Sequence, residues 1–248
     1  MNKEKLFKFA FGCAPEAFPA KVIITPVFPL KYFKGYYPAD TLFKGHLYSG
    51  FISGKGGDKI AVVHSGLGDR LLGDAVLMMS ETSALELIFL GTCGGLKDTK
   101  IGDIIVAESA VDGEGFSRYH REGFSVSKLI DCPGGLEKGD PGMVTRLYGV
   151  LSEKMGRVRK GPIFTIGSLL AETPANLSEI AKKGYCGIEM ELSAVYRASE
   201  VSRIKSAGIL AVSDIPGSKG LGEEEDPGEK AASAKAIRDM IEQVAQTF

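Results

Sequence analysis

Short apolar runs rich in Ile and Val recur along the chain, and segments with the helical spacing of apolar residues lie between them. Apolar runs of about four to eight residues are typical of strands buried on both faces of a parallel sheet. The pattern therefore predicts an α/β fold with a mixed, largely parallel central sheet flanked by helices. The predicted strands lie at 21–25, 59–66, 85–92, 102–109, 161–167 and 207–214.

Several of the helical segments begin with Ser, Thr or Asp and end with Gly, as helices commonly do. The predicted helices lie at 69–85, 140–156, 173–184, 191–208 and 231–248. No repeat or linker divides the chain, so we expect one domain at 21–248 with an N-terminal extension at 1–20. Gly, Pro and acidic residues cluster at 214–230, which predicts a surface loop. A lid and a plain solvated connection both remain open for this loop.

The charge balance points to a small-molecule partner or to another subunit. Thirty basic and thirty-one acidic residues give a net charge of -1, so we expect neither nucleic acid nor an anionic membrane as partner. The four cysteines are scattered without a CxxC pair, and no cluster of side chains has the spacing of metal ligands. Lys8 interrupts the short apolar stretch at the N-terminus, so we predict a cytoplasmic protein without a targeting segment.

Two glutamates stand in a segment that is otherwise apolar enough for a core. Glu189 and Glu191 lie one residue apart in YCGIEMELSAVYRAS, residues 185–199. Carboxylates are rarely buried unless they are paired or used, because removing them from water costs free energy. A helix N-terminus that favours acids would explain them. A ligand pocket would explain them as well.

Glycines and an aspartate end two of the predicted strands. Gly91, Thr92 and Gly94 follow one apolar run, at the edge where ligands bind in open α/β sheets. A tight turn would explain these glycines equally well. Asp214 ends another run beside Ser213, where a carboxylic acid could donate a proton to a leaving group or merely cap a turn.

Taken together, these motifs resemble those of a known family. The resemblance is to the nucleoside phosphorylase and uridine phosphorylase superfamily, which also includes the adenosylhomocysteine and methylthioadenosine nucleosidases. It covers residues 21–248 and implies the nucleoside phosphorylase fold. It also implies a homodimer, or a hexamer built as a trimer of dimers, with active sites shared between neighbours. The segments that carry it are VVHSGLGD, LGTCGGLKDTKIGDIIVAESA, DGEGFSRYH, ETPANLSEIAKKGYCGIEMELSAVY and LAVSD.

The resemblance assigns two catalytic residues, Glu191 and Asp214. Glu191 would bind the 2′ and 3′ hydroxyls of a ribose, with Met190 packed against the sugar and Glu189 lining or supporting the site. Asp214 would protonate or hold a purine base as it leaves, and Ser213 would orient it. An ionised carboxylate only accepts hydrogen bonds, which suits two hydroxyl donors.

Further substrate contacts follow from the same resemblance. Thr92, Cys93 and Gly94 would line the site, with Cys93 in a packing role because no partner base is visible in the sequence. Leu169 or Leu170 takes the position of the aromatic residue that stacks on the base in many members.

The sequence departs from the family at the phosphate site. Lys31 stands where phosphorylases of the hexameric type have a loop arginine, and Phe89 stands where they have a second one. Lysine can hold phosphate as a point charge but lacks the bidentate geometry of arginine. The residues predicted to bind phosphate are Lys31, Gly91, Thr92 and, from a neighbouring subunit, Lys44. Arg118 and His120 could add cations or donors.

The predicted function is phosphorolysis of a purine or related nucleoside to the free base and ribose 1-phosphate. Phosphate would be a co-substrate, and we expect no cofactor. A nucleosidase that uses water is the alternative, although the segment TPVFPLKYF lacks the glutamate with which such enzymes activate water. A nucleoside-binding protein without catalysis is the other alternative.

Overall fold

A single mixed sheet with helices packed against it makes up most of the regular structure. The structure, a computed structural model, describes residues 2–54, 56–113, 135–217 and 226–248. The strands are β1 (Lys21–Thr25), β2 (Thr41–Lys44), β3 (Ser49–Ser53), β4 (Ile60–His64), β5 (Glu86–Gly95), β6 (Ile104–Gly113), β7 (Leu136–Lys138), β8 (Val158–Ile166), β9 (Gly187–Glu189) and β10 (Lys205–Asp214). The helices are α1 (Lys3–Phe11), α2 (Asp69–Met78), α3 (Pro141–Lys154), α4 (Pro174–Lys182), α5 (Leu192–Ser202) and α6 (Pro227–Thr247).

The sheet runs in the order β10-β6-β8-β9-β5-β1-β4-β3-β2, and β7 pairs with β6. Strands β4, β1, β5 and β10 run parallel to one another, while β6 runs antiparallel to β10. This arrangement confirms the predicted α/β fold. Because β10 also pairs with β5, the strands β5, β10, β6, β8 and β9 close into a ring. The ring brings chain segments distant in sequence to one end of the sheet.

All six predicted strands are present, but the sequence prediction missed β2, β3, β7 and β9. The two strands β7 and β9 have only three residues each, too short for a pattern to be visible. In the edge strand β2 only Phe43 is buried, so this strand shows no apolar run. Short and edge strands are formed by pairing with their neighbours rather than by their own composition.

The last helix begins earlier than predicted. Asp226 caps α6 by accepting a hydrogen bond from the Gly228 backbone N–H at 2.7 Å, and Pro227 occupies the first turn. Residues 227–230, predicted as loop, are therefore helical, because Asp followed by Pro is a strong helix start. Residues 218–225 of the predicted loop lie outside the described residues.

No helix within the described ranges is long and apolar enough to cross a membrane.

The N-terminal helix α1 belongs to the main hydrophobic core. Phe7 and Phe11 are fully buried with ring centroids 4.3 Å apart, and Phe18 packs edge-on against both. The same cluster contains Val22 and Ile24 of β1. The packing therefore joins the predicted N-terminal extension to the domain predicted to begin at residue 21.

We expect Phe11→Ala to lower the free energy of unfolding by about 3 to 5 kcal/mol, because it leaves a cavity in this core. Phe9, on the same helix, is 50% exposed and stacks on His46, so Phe9→Ala should cost less than about 1 kcal/mol. Urea unfolding of both variants measures the difference. Equal, small effects would show that α1 is not part of the cooperative unit.

Candidate active site

A cavity lies at the edge of the sheet where β1, β5 and β10 end. Parallel strands present their carboxyl ends at one edge, which is the usual ligand side of such sheets. Four carboxyl groups line the cavity, and the described part of its wall contains no Lys, Arg or His. These acidic residues are Glu172, Glu189, Glu191 and Asp214.

Glu191, predicted from the sequence to bind a sugar, lies in the wall of this cavity and is held there by the turn at the start of α2. It directly precedes α5 and is only 5% exposed. Its Oε1 accepts a hydrogen bond from the Gly68 backbone N–H at 2.9 Å, at the start of α2. Gly68 has φ of 114°, a conformation that favours glycine. Burial raises the pKa of Glu191, the Gly68 N–H opposes this, and Asp69 adds to the rise.

Glu189 is the helix-capping glutamate of the pair. Its Oε2 accepts hydrogen bonds from the backbone N–H groups of Glu191 and Leu192, both at 2.7 Å. The Thr165 hydroxyl donates to Oε1 at 2.5 Å and accepts from the Ser193 N–H at 3.1 Å. The sequence left two explanations for this pair of glutamates, a helix N-terminus and a pocket. Each applies to one of them, because Glu189 caps the helix N-terminus and Glu191 faces the cavity.

Burial has a strong effect on the ionisation of Glu189. Removal from water raises its pKa to about 8, and the nearby charge of Glu191 adds to this rise. The hydrogen bonds from Thr165 and from the backbone of α5 act in the opposite direction. Both oxygens of Glu189 are thus engaged by the protein, and the residue also lines the cavity.

The glycine segment at the end of the predicted strand 85–92 is the last part of strand β5. A Cβ added at Gly91 would lie 2.8 Å from the ring of Phe89, and one at Gly94 would collide with Pro216. Close packing therefore explains these glycines, and the alternative of a tight turn does not apply to them. Thr92 and Cys93 still line the cavity, as predicted. Burial raises the pKa of the Cys93 thiol well above its ordinary value, which keeps it neutral.

Asp214 lies across β5 from the glutamate pair. Gly94 pairs with Ile188 of β9 on one side and with Asp214 of β10 on the other. The register of β10 shifts between Val212 and Asp214. The Ser213 hydroxyl donates to Asp214 Oδ1 at 2.8 Å, which fixes the carboxyl group as predicted.

The structure brings most of the predicted substrate contacts together and separates the predicted phosphate lysines from them. Met190 and Leu169 line the cavity, and Leu169 is 53% exposed. Lys31 is exposed, with Nζ 5.7 Å from the ring centroid of Tyr32, and does not line the cavity. Lys44 is exposed at the end of the edge strand β2 and does not line the cavity either. Arg118 and His120 lie outside the described residues.

Several residues of the wall were not identified as site residues from the sequence, among them Glu172 and Leu67. Glu172 follows the 3-10 turn Leu169–Ala171, and Leu67 lies between two glycines that both have positive φ. The signal for Leu67 was an apolar residue in a glycine-rich turn. For Glu172, the only signal in the sequence was its position close to Leu169 and Leu170, the residues predicted to stack on the base.

Comparison with known proteins identifies the class to which this fold and site belong. Residues 31–247 match the family model of the Phosphorylase superfamily, and the chain belongs to that superfamily. This confirms the resemblance seen in the sequence. The chain is 25% identical over 167 residues to a purine nucleoside phosphorylase DeoD-type of Bacillus cereus, covering 66% of this chain and 67% of the relative. The DeoD-type enzyme of Bacillus thuringiensis (strain Al Hakam) gives the same figures.

Solved structures share the fold at low sequence identity. Uridine phosphorylase from Vibrio fischeri ES114 has a TM-score of 0.80 and 19% identity, covering 100% of this chain and 98% of that chain. AMP nucleosidase from Bacteroides thetaiotaomicron VPI-5482 has a TM-score of 0.72 and 17% identity, covering 99% and 98%. At this level of identity, the structures establish the common fold and leave the reaction to be argued from the site.

The raised pKa of Glu189 predicts a pH dependence of stability. The folded chain holds a proton up to about pH 8 that the unfolded chain releases near the ordinary value of 4.5, so stability falls as pH rises between these values. Glu189→Gln mimics the protonated form and does not titrate. The free energy of unfolding of the wild type, relative to this variant, should therefore fall by about 1 to 4 kcal/mol from acidic to mildly alkaline pH.

Urea unfolding of the two proteins at a series of pH values measures this difference. A difference that stays constant across the series would mean that Glu189 has the same pKa in the folded and unfolded chains. The capping hydrogen bonds would then cancel the effect of burial on the pKa of Glu189.

Proposed function

We propose that the protein cleaves the N-glycosidic bond of a purine nucleoside. The observation that carries the proposal is the arrangement of Glu191 and Asp214 in one cavity, on the two sides of the end of β5. As this bond breaks, positive charge develops on the sugar and the base leaves with the electron pair. A carboxyl group at the sugar can stabilise the first, and a carboxyl group at the base can neutralise the second by donating a proton. The curated relatives are named purine nucleoside phosphorylases, which supports the same reaction class.

Glu191 is suited to the sugar end of the reaction. Its Oε1 is engaged by Gly68, which leaves Oε2 to accept hydrogen bonds from ribose hydroxyls. Breaking the N-glycosidic bond builds positive charge on the sugar, as in glycoside hydrolysis. The carboxyl-rich wall stabilises that charge more than the neutral ground state, which lowers the barrier.

Asp214 is suited to the base end. A purine leaves with the electron pair of the broken bond, and a proton donated to a ring nitrogen neutralises it. The Ser213 hydroxyl at 2.8 Å holds the Asp214 carboxyl group in one orientation. Leu169 contributes an apolar surface against which a planar base can pack.

Phosphate is the first candidate for the acceptor. The names of the curated relatives support it, and the Thr92 hydroxyl in the wall offers a donor. Lys44 from a neighbouring subunit would supply positive charge in a shared site. The described wall carries four carboxyl groups and no cation of its own, so phosphate should bind weakly, with a high KM. The same composition favours water as the second candidate acceptor.

The acceptor is tested by following base release from a panel of nucleosides as phosphate is varied from none to saturating. Phosphorolysis predicts a rate that rises with phosphate toward a high KM, with ribose 1-phosphate as the sugar product. Phosphate-independent release that yields free ribose would replace phosphate by water. Binding of a nucleoside without base release would contradict the proposed catalysis.

The role of Glu191 is tested by Glu191→Gln. The amide oxygen can still accept from Gly68, so the fold should persist, while kcat/KM should fall by about two to three decades through loss of the charge. Glu200→Gln is the matched control, because Glu200 lies on the same helix α5 with its side chain 68% exposed. Steady-state kinetics of base release gives both values, and unchanged kinetics in Glu191→Gln would remove Glu191 from the reaction.

A further inference from the structure

The first turn of α5 is capped by side chains that come from two strands of the sheet. Oε2 of Glu189, at the end of β9, accepts hydrogen bonds from the N–H groups of Glu191 and Leu192, both at 2.7 Å. Thr165 Oγ1, on β8, accepts from the Ser193 N–H at 3.1 Å. The first N–H groups of a helix have no acceptor within the helix and need one from elsewhere. Glu189 and Thr165 therefore share the capping of α5.

Glu191 occupies the N-cap position of α5 without capping it. Its backbone carbonyl accepts the first intrahelical hydrogen bond, from the Val195 N–H at 3.2 Å. The side chain of an N-cap residue commonly accepts from the N–H group two or three residues later. The Glu191 side chain makes no such bond within the described chain, because its Oε1 accepts from Gly68 and the residue lines the cavity. The Ser193 N–H, two residues later, is taken by Thr165 instead.

The Thr165 hydroxyl is fixed in this role by its own proton. The residue is fully buried, and the hydroxyl donates to Glu189 Oε1 at 2.5 Å. A hydroxyl has one proton and two lone pairs, so donation to Glu189 leaves a lone pair for the Ser193 N–H. A buried donor that loses its acceptor is costly. Removal of the Thr165 hydroxyl would therefore leave the Ser193 N–H in need of another acceptor, and the Glu191 carboxyl group belongs to the same turn.

We propose that Thr165 is a positioning residue for ribose binding, which caps α5 in place of Glu191 and thereby frees the Glu191 carboxyl group for the substrate. The proposal rests on the proposed function for the identity of the ligand. Without the Thr165 hydroxyl, Glu191 would turn back to the Ser193 N–H, and a nucleoside would compete with the helix for it. Such competition lowers the apparent affinity by the fraction of molecules in which Glu191 is free.

The test is Thr165→Val, which nearly keeps the shape of the side chain and removes the hydroxyl. The dissociation constant of a purine C-nucleoside, which has no N-glycosidic bond to cleave, should rise about two- to thirtyfold, the range that corresponds to one capping hydrogen bond. Saturating substrate reverses the competition, so KM should rise while kcat stays unchanged. Thr165→Ser keeps the hydroxyl and should restore both values. Titration calorimetry and steady-state kinetics of base release measure them.

Two controls separate this role from a general loss of packing. Thr82→Val is the matched substitution, because the Thr82 hydroxyl also donates, to the Met79 carbonyl at 2.7 Å, and accepts, from the Ala84 N–H at 3.1 Å. Thr82 does not line the cavity, so KM and the dissociation constant should not change. In a Glu191→Ala background, Thr165→Val should leave the dissociation constant of that background unchanged, because no carboxyl group remains to turn back.

An unchanged dissociation constant in Thr165→Val, or an equal rise in the Glu191→Ala background, would overturn the proposal even if the wild type cleaves nucleosides. If Thr165→Val does not fold, Thr165→Cys replaces it, since a thiol is a weaker acceptor of similar size and should raise KM by a smaller factor. No rise in KM in Thr165→Cys would also count against the role of Thr165.

A measurement without ligand keeps this proposal distinct from the proposed function. If the wild type neither cleaves nor binds nucleosides, the proposed function fails, and urea unfolding then tests the cap alone. Glu191→Ala should lower the urea midpoint more in the Thr165→Val background than in the wild type, because only there does it leave the Ser193 N–H without an acceptor. An equal shift in both backgrounds would show that Glu191 does not replace Thr165 as the cap.

Discussion

The hydrogen bonds between the Glu189 carboxyl group and the first N–H groups of α5 are the interaction on which the site depends. They fix the start of α5, and Thr165 ties the same carboxyl group to β8. Glu191 directly precedes this helix, so its direction into the cavity is set by its buried neighbour. The cost of burying Glu189, seen in its raised pKa, is offset by donors on both oxygens. Glu189 thereby positions Glu191 in the cavity wall.

The closed ring of strands supplies the second half of the arrangement. Pairing of β5 with both β9 and β10 brings Asp214 to the other side of β5 from Glu191, although the whole of α5 lies between the two residues in the chain. The described wall that results is rich in carboxyl groups and lacks cations. Such a wall favours a positively charged transition state and disfavours an anionic co-substrate. The weak phosphate binding that we propose follows from this single feature.

The sequence predicted β1, β4, β5, β6, β8, β10 and the α/β class, because apolar runs are local features. Its resemblance to the family supplied the cavity residues from β5 and β10 and those around β9. It could not predict the ring closure, since closure depends on pairings between distant strands. It could not divide the tasks of Glu189 and Glu191, because which carboxyl group meets the helix N-terminus is decided by backbone direction. Glu172 was missed for a similar reason, since an acid in a turn next to a helix looks like an ordinary surface residue.

The most direct test of this account is a crystal structure with a purine C-nucleoside, in which a carbon–carbon bond replaces the bond to be cleaved, so that the ligand stays intact. We expect ribose hydroxyls within hydrogen-bonding distance of Glu191 Oε2 and a ring nitrogen of the base at Asp214, with Glu189 still hydrogen-bonded to the backbone of α5. A nucleoside bound with its sugar away from Glu191, or outside the cavity, would contradict the claim that Glu191 and Asp214 contact opposite ends of the substrate.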